Sequence, residues 1–298
     1  MTNGPSIAVC ICTRDRPESL RICLEAIAAG TVVPDEVLVS DDSQRPEESM
    51  TLCARYAFVR HLAGPKKGLC ANRNRVIAAS GSTHIALIDD DAVLANDFVE
   101  RALKHAHTEA AKTIITGSVL EFGAQLFAPG SPDIWGNFTQ KPRDGHYETV
   151  QLNCNLFPRS CFACSRFDEL IRYGFEDMDL CSHLLSLGYT IKWDPQLVNA
   201  HYPPVQTAEM TSERFRQWEQ ARYYTSLKRY ILWKRRPLLG VLYFLAAPLY
   251  TIAFSIKWKK WSRIPNVLPD MLIAGKLFLR CKYSRHNRTG YDHMTAEV

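Results

Sequence analysis

The chain has 298 residues, 46% of them hydrophobic and 22% charged, with a net charge of +5. That balance gives enough apolar side chain for a sizeable core and excludes a disordered chain, while 16 prolines and 15 glycines are too few for a collagen-like or low-complexity one. The length fits one large core with an appendage better than two equal halves.

Residues 7–12 (IAVCIC) form a short apolar run rich in β-branched residues and predict a buried strand, with a helix over 17–29 after it. Residues 36–40 predict a second strand ending in Asp41 and Asp42, then come a helix over 47–56 and a strand near 58–62. A helix over 71–79 leads into a strand over 84–88 (HIALI), which stops at Asp89, Asp90 and Asp91. Strands alternating with helices predict an α/β fold with a mostly parallel sheet covered by helices on both faces. Ligands of such sheets bind at the carboxyl ends of the strands, so Thr13, Arg14, Asp15, Asp41, Asp42 and the three later aspartates are expected to converge on one crevice.

Further along, 98–107 predicts a helix, 113–122 a strand, 123–147 a loop-rich insertion, 176–187 a helix and 190–193 a strand. Residues 1–227 hold 22 Lys+Arg against 28 Asp+Glu, whereas 228–298 hold 14 against 3. The basic region contains 237–256, twenty positions without a charge, long enough as a helix to match a bilayer core. Lys234, Arg235 and Arg236 precede it, Lys257, Lys259, Lys260 and Arg263 follow it, and Trp233, Trp258 and Trp261 mark its borders. Such flanks resemble membrane-interface anchors and favour lipid over nucleic acid as the partner of this region, the alternative being an amphipathic helix buried against the soluble body. Cations at both ends, with Pro248 inside, favour a re-entrant or in-plane pair over one straight crossing, with 271–279 as a second interfacial piece. The chain is therefore expected to divide into an α/β domain over 1–227 and a membrane-associating helical region over 228–298, with the lipid contact through 228–288.

Ten cysteines scattered through apolar context predict buried thiols in a reducing compartment, and the pair Cys161 and Cys164 reads as two core residues. The first residues show no secretory leader, so the body is expected in the cytosol.

Three adjacent carboxylates at a strand end repel one another, an arrangement that makes sense around a hard divalent cation, Mg²⁺ or Mn²⁺, held together with phosphate oxygens. A second acidic group, Glu176, Asp177 and Asp179 in FEDMDL, lies at a predicted helix start, where the helix dipole also favours carboxylates. Asp177 is placed to act as a general base toward an acceptor hydroxyl. His201, expected just after the strand at 190–193, offers an imidazole ligand to a metal at Asp91. The segment GLCANRNR contributes Arg73 and Asn74, suited to holding a diphosphate.

In order along the chain, TRDRPESL, LVSDDS, GLCANRN, LIDDDAVL, FDELIRYGFEDMDL and the later His201 resemble the successive motifs of family 2 glycosyltransferases of the GT-A fold. The resemblance implies an inverting sugar transferase that uses a nucleotide-diphosphate sugar, with UDP as the expected nucleotide, and a divalent metal. It implies that Thr13, Arg14, Asp15, Asp41 and Asp42 border the nucleoside, with Asp42 on the base. Arg73 and Asn74 would face base or phosphate, Asp89 and Asp90 the ribose or sugar, and Asp91 and His201 the metal. Asp177 would be the base and Glu176 would position the acceptor. Three positions depart from the pattern: Val76 stands where many members have glycine, Asp15 where an aromatic often stacks on the base, and 123–155, with Trp135, Asn137 and His146, follows no recognisable motif. The expected role is synthesis of a cell-surface polysaccharide or glycolipid at the cytosolic face of the inner membrane, on a glycan or lipid-linked acceptor. The competing readings are a catalytically silent membrane-bound scaffold and a sugar nucleotidyltransferase. The latter calls for a glycine-rich loop and lysine that 7–17 lacks.

Overall fold

A computed structural model describes residues 4–203 and 212–286, with side chains through 281. Residues 287–298 of the basic region, Asn287 and Arg288 included, lie outside the described residues. Contacts divide the chain into one unit of Met1–Arg172 with Glu176–Glu209 and another of Tyr173–Phe175 with Met210–Val298.

The strands of the first unit are β1 (Ile7–Thr13), β2 (Glu36–Asp41), β3 (Val59–Ala63), β4 (His84–Asp89), β5 (Ala92–Val93), β6 (Thr113–Glu121), β7 (Gln125–Phe127), β8 (Ser131–Pro132), β9 (Phe138–Thr139), β10 (Asn155–Pro158) and β11 (Thr190–His201). Its helices are α1 (Pro17–Ala28), α2 (Glu47–Cys53), α3 (Leu69–Ala79), α4 (Phe98–Thr108), α5 (Ser160–Cys164) and α6 (Glu176–Ser186). The main sheet runs β3-β2-β1-β4-β10-β6-β11-β5, with β7 added along β6. Its long ladders, β3 to β4 through β2 and β1, and β6 with β11, are parallel; the antiparallel pairings involve the short strands β5, β7 and β10. The expected α/β fold with a mostly parallel sheet is what the chain forms.

β1 reads as unbroken apolar because both of its faces are covered. Ile7, Val9 and Ile11 join a core with Leu20, Cys23, Leu24 and Ile27 of α1 and Phe98, Val99 and Ala102 of α4. The alternate residue Cys10 meets the Val76 carbonyl of α3. Pro17 opens α1, where its missing N–H costs nothing, and the 20/23/24/27 spacing turns one helical stripe inward. Each such aliphatic side chain, fully buried, contributes about 1.5–3 kcal/mol.

The strands β5 and β10 and the short helix α5 have no counterpart in the sequence reading, and two further segments differ from it. β11 continues past 193 to His201, because a register shift between Trp193 and Val198 absorbs the turn-like Asp194-Pro195-Gln196 and resumes pairing with β6. His201 therefore ends a strand. The 123–147 insertion contains β7 and a β8–β9 hairpin. Trp135 and Asn137 belong to a turn gathered by Asp133, whose carboxylate accepts from both backbone amides and from the Asn137 side chain. The His146 backbone closes a separate tight turn with Arg143.

All ten cysteines are free; eight are buried, Cys164 is exposed and Cys281 lies between. Burial pushes the buried thiols up, Cys53 to about 12.

The second unit is helical: α7 (Ser212–Lys228), a wide π-type turn over Arg229–Trp233, α8 (Pro237–Lys257) and α9 (Val267–His286). Arg222 is buried in its interior, donating to Glu219 at 2.7 Å and to Thr251 of α8 at 2.9 Å. Asp270 of α9 accepts from Arg216 at 2.9 Å and Gln220 at 2.8 Å. These pairs hold both later helices to α7.

Candidate active site

Three parallel strands, β1, β2 and β4, end at Thr13, Asp41 and Asp89, and at this edge the charged residues gather. Thr13 Oγ1 donates to Asp90 Oδ2 at 2.6 Å, and the Arg16 guanidinium reaches Asp90 Oδ1 at 2.5 Å and Asp91 Oδ2 at 2.7 Å. Asp91 Oδ1 meets His201 Nε2 at 3.1 Å, and His201 Nδ1 meets Glu121 Oε1 at 3.2 Å. His201 and Glu121 are register partners on β11 and β6, which is why their side chains meet. On the other side, Asp89 accepts from Arg73 Nη2 at 2.9 Å, and Arg73 Nη1 donates to Glu176 Oε1 at 2.7 Å. Asp89, Asp90 and Asp91 thus join two arms of one charged network running from Glu121 to Glu176.

The end of β4 is held by side-chain amides. The Leu87 and Asp89 amides donate to Asn155 Oδ1 and Asn153 Oδ1 at 2.9 and 2.8 Å, giving buried backbone groups their partners where β10 is too short to pair.

Electrostatics separates the three aspartates. Asp90 is fully buried, and desolvation raises its pKa to about 7 against the opposing pull of Arg16 and the Thr13 hydroxyl. For Asp91 burial also favours the neutral form, but hydrogen bonds from His201 and Arg16 and their charges outweigh it and hold the carboxyl below its usual range. His201 shows the reciprocal effect: burial disfavours its charge, yet Asp91, Asp89 and Glu121 raise its pKa.

Glu176 and Asp177 open α6, after Gly174 and Phe175 with positive φ of 75° and 64°. Oε2 of Glu176 is buried without a hydrogen-bond partner among the described residues. Asp177 is half-buried, and no side chain among the described residues hydrogen-bonds its carboxyl. Burial, and then the neighbouring Glu176 charge, raise its pKa to about 7.

The remaining predicted residues brace loops near this edge. Asp41 accepts from the Ser43 amide at 2.8 Å and faces His61 at 3.2 Å. Asp42 accepts from the Lys66 amide at 2.8 Å, and Gly64 lets the chain pass so close that an added Cβ would sit 2.2 Å from Asp42 Oδ1. Asp15, at φ 55°, receives the Gln44 amide at 3.0 Å and donates its own amide to Ser43 Oγ at 2.7 Å. Arg14 is exposed and pairs with Asp15 at 3.6 Å. Asn74 is clamped to the Phe167 backbone at 2.9 and 3.0 Å, outside the charged network. Sequence reasoning missed Arg16, Glu121, Asn153 and Asn155. Arg16, at the entry to α1 and next to the strand end, carried a positional signal; Glu121 had none before its pairing with His201.

Among the described residues no group of three or more His, Cys, Asp or Glu is arranged to hold a metal alone. The donor set still fits a divalent ion. Asp91 and His201 place a carboxylate oxygen beside an imidazole nitrogen, and Glu121 behind His201 is the outer carboxylate that metal-ligating histidines use. Cations of this class complete such sites with substrate phosphates and water.

The architecture is that of the GT-A glycosyltransferases. The mannosyltransferase PcManGT from Pyrobaculum calidifontis, solved with GDP-Man and Mn²⁺, superposes with a TM-score of 0.55 at 12% identity over 93% of this chain and 88% of that one. GalNAc-T7, solved with UDP, GalNAc and Mn²⁺, gives 0.61 at 11% identity over 86% of this chain and 58% of that one. The family model for glycosyl transferase family 2 matches residues 8–171, more than half of the chain, and the chain belongs to that family. No match to a curated protein is found.

Proposed function

We propose that the protein is an inverting glycosyltransferase that moves a sugar from a nucleotide-diphosphate donor to a hydroxyl of a glycan or lipid-linked acceptor. The observation that carries this reading is the charged network from Glu121 to Glu176 at the ends of β1 and β4, in a chain of this family. The acceptor oxygen attacks the anomeric carbon as the bond from that carbon to the diphosphate oxygen breaks. The nucleoside diphosphate leaves with the bonding electrons, and the acceptor proton passes to Asp177. A carboxylate near pKa 7 and without a side-chain partner is suited to taking that proton. Arg16 and Arg73 offer guanidinium groups to the diphosphate, each positioned by carboxylates of the 89–91 run. Glu176, anchored through one oxygen to Arg73, keeps its other oxygen for the acceptor.

Asp91 and His201 are the residues that would hold the divalent ion, and their mixed oxygen and nitrogen donors suit Mn²⁺ better than Mg²⁺. When bound, the ion supplies positive charge against the diphosphate. The Mn²⁺ in both structural relatives supports this assignment. We place the work at the cytosolic face of the membrane, in cell-surface polysaccharide or glycolipid synthesis. Ten free thiols suit a reducing compartment, and the apolar helix α8 suits a lipid neighbour.

The test is binding and turnover of UDP-, GDP- and dTDP-sugars by the purified protein, with and without Mn²⁺, for the wild type and Asp91→Ala. Metal-dependent binding or slow hydrolysis of one donor, lost in the variant, is the expected result. A folded, lipid-supplemented protein that binds no donor would return the silent scaffold instead.

A further inference from the structure

Helix α8 has 21 residues and at about 1.5 Å per residue is long enough to cross a bilayer. Its packing opposes a crossing. Gly240, Tyr243, Ala247, Thr251 and Ser255 form one buried stripe at three- and four-residue spacing. That stripe lies against α7 and the turn after it: Tyr243 packs on Tyr230 with ring centroids 5.5 Å apart, and a Cβ on Gly240 would meet Ile231 at 2.3 Å. Thr251 accepts from Arg222 at 2.9 Å and from the Tyr223 hydroxyl at 2.7 Å. Helix α7, SERFRQWEQARYYTSLK, carries Glu213, Arg214, Arg216, Glu219, Arg222 and Lys228. Drawing α8 through a bilayer would take these charges into hydrocarbon, at about 2.5–3.5 kcal/mol for each Arg or Lys on the insertion scale, or tear Thr251 from Arg222.

The opposite face of α8 is bare. Leu238, Val241, Leu242, Leu245 and Leu249 lie on one side of the helix, Leu238 being 81% and Leu249 67% exposed. Helix α9 adds exposed Leu268, Leu272 and Leu279. Exposed Arg235 and Arg236 precede α8, exposed Lys259 and Lys260 follow it, and Trp258 and Trp261 are exposed beside them. A leucine face with cations and tryptophans at both ends complements one surface: hydrocarbon bordered by anionic headgroups.

We infer that α8, aided by α9, is a monotopic seat that lies in the plane of an anionic lipid surface, leucine face in the acyl region and both cationic ends at the phosphates. The inference rests on the membrane-neighbour part of the proposed function and is independent of its donor chemistry. The buried stripe stays on α7, so the charged side chains of α7 keep out of the acyl region. Pro248, buried in α8, leaves the Phe244 carbonyl without its intrahelical donor within a helix whose other side is covered by protein.

The test uses the full chain with vesicles of phosphatidylcholine alone and of phosphatidylcholine with phosphatidylglycerol. Co-sedimentation is expected with the anionic vesicles, weakening as salt rises and falling roughly fivefold per cation removed in Arg235→Gln, Arg236→Gln and Lys260→Gln. The triple variant Leu242→Glu, Leu245→Glu, Leu249→Glu should lose the vesicles while keeping wild-type donor binding, which shows that the protein remains folded. With Cys164→Ser and Cys281→Ser in place, Arg236→Cys and Lys260→Cys, made singly, should both react with an impermeant maleimide added outside the vesicles. Protection of one end alone would mean a span and overturn the in-plane seat. Equal binding to both vesicle types at all salt concentrations would overturn the anionic partner, and a soluble dimer indifferent to vesicles would assign the leucine face to a second copy. Donor turnover measured on the same samples tells failure of the seat from failure of the transferase reading.

Discussion

Asp177 and Glu121 show how two carboxylates of one site acquire different work from their surroundings. Asp177 stands at a helix start without a side-chain partner, and burial raises its pKa to about 7; Glu121 lies 3.2 Å from the His201 imidazole, where it can orient that ring. A base must be deprotonated to act, so kcat/KM is expected to rise with pH through about 7. Asp177→Asn should lower kcat by roughly 10²–10⁴-fold with donor affinity little changed, measured by steady-state kinetics and calorimetry. Glu121→Gln tests a different role. If Glu121 fixes the tautomer and orientation of His201, the substitution should weaken Mn²⁺ binding by roughly 10–100-fold in a metal titration without donor, and an unchanged titration would dismiss that role. The sequence offered His201 as a ligand but gave no hint of Glu121, because the pair exists only through strand register.

At the scale of elements, close approach and buried pairing decide where substitutions are costly. Gly64 passes Asp42 and the Asp41 backbone, and an added Cβ would lie 2.2 Å from Asp42 Oδ1 and 2.8 Å from the Asp41 carbonyl carbon. Gly64→Ala should therefore destabilise by about 1–3 kcal/mol and weaken nucleotide binding as the Asp42 loop shifts, read by thermal unfolding and donor titration. In the helical unit, Glu219→Ala leaves Arg222 buried without its carboxylate, at a cost of about 3–5 kcal/mol in denaturant unfolding. From 7 to 107 the longer helices and strands are legible in order because a buried apolar run marks β1, β2 and β4 and a helical stripe marks α1, whereas the two-residue β5 is too short to show a period. β11 was read short because Asp194-Pro195-Gln196 is locally a turn, and only its continued pairing with β6 makes it one strand.

Across the whole molecule, a raised carboxyl couples folding to pH. Asp177 binds its proton more tightly folded than unfolded, so between its ordinary value and about 7 the folded state holds more protons and stability must fall as pH rises. Asp90, raised to the same value, adds a loss of the same sign, so denaturant unfolding across that interval should show both, and Asp177→Asn should remove only its own share of the slope. The effect is opposite in sign to that of a salt-bridged carboxylate such as Asp91, which stabilises above its unfolded pKa and loses that stabilisation as pH falls.

The α/β class, the strand ends that carry Thr13, Asp41 and Asp89, and the apolar length of 237–256 are each written in a local run of residues and can be read without a structure. The ordered motifs of the sequence also pointed to the family. Tertiary structure decided which charges meet. Arg16 bridges Asp90 and Asp91, Arg73 ties Asp89 to Glu176, and Glu121 backs His201, all across 16 to 103 positions of chain. It also decided which side of α8 is covered, since a helix uniformly apolar in sequence shows no buried face until Arg222 and Tyr223 claim Thr251. Local patterns report only what neighbours in sequence can enforce; charge partners and covered faces are set by contacts that close long loops of chain.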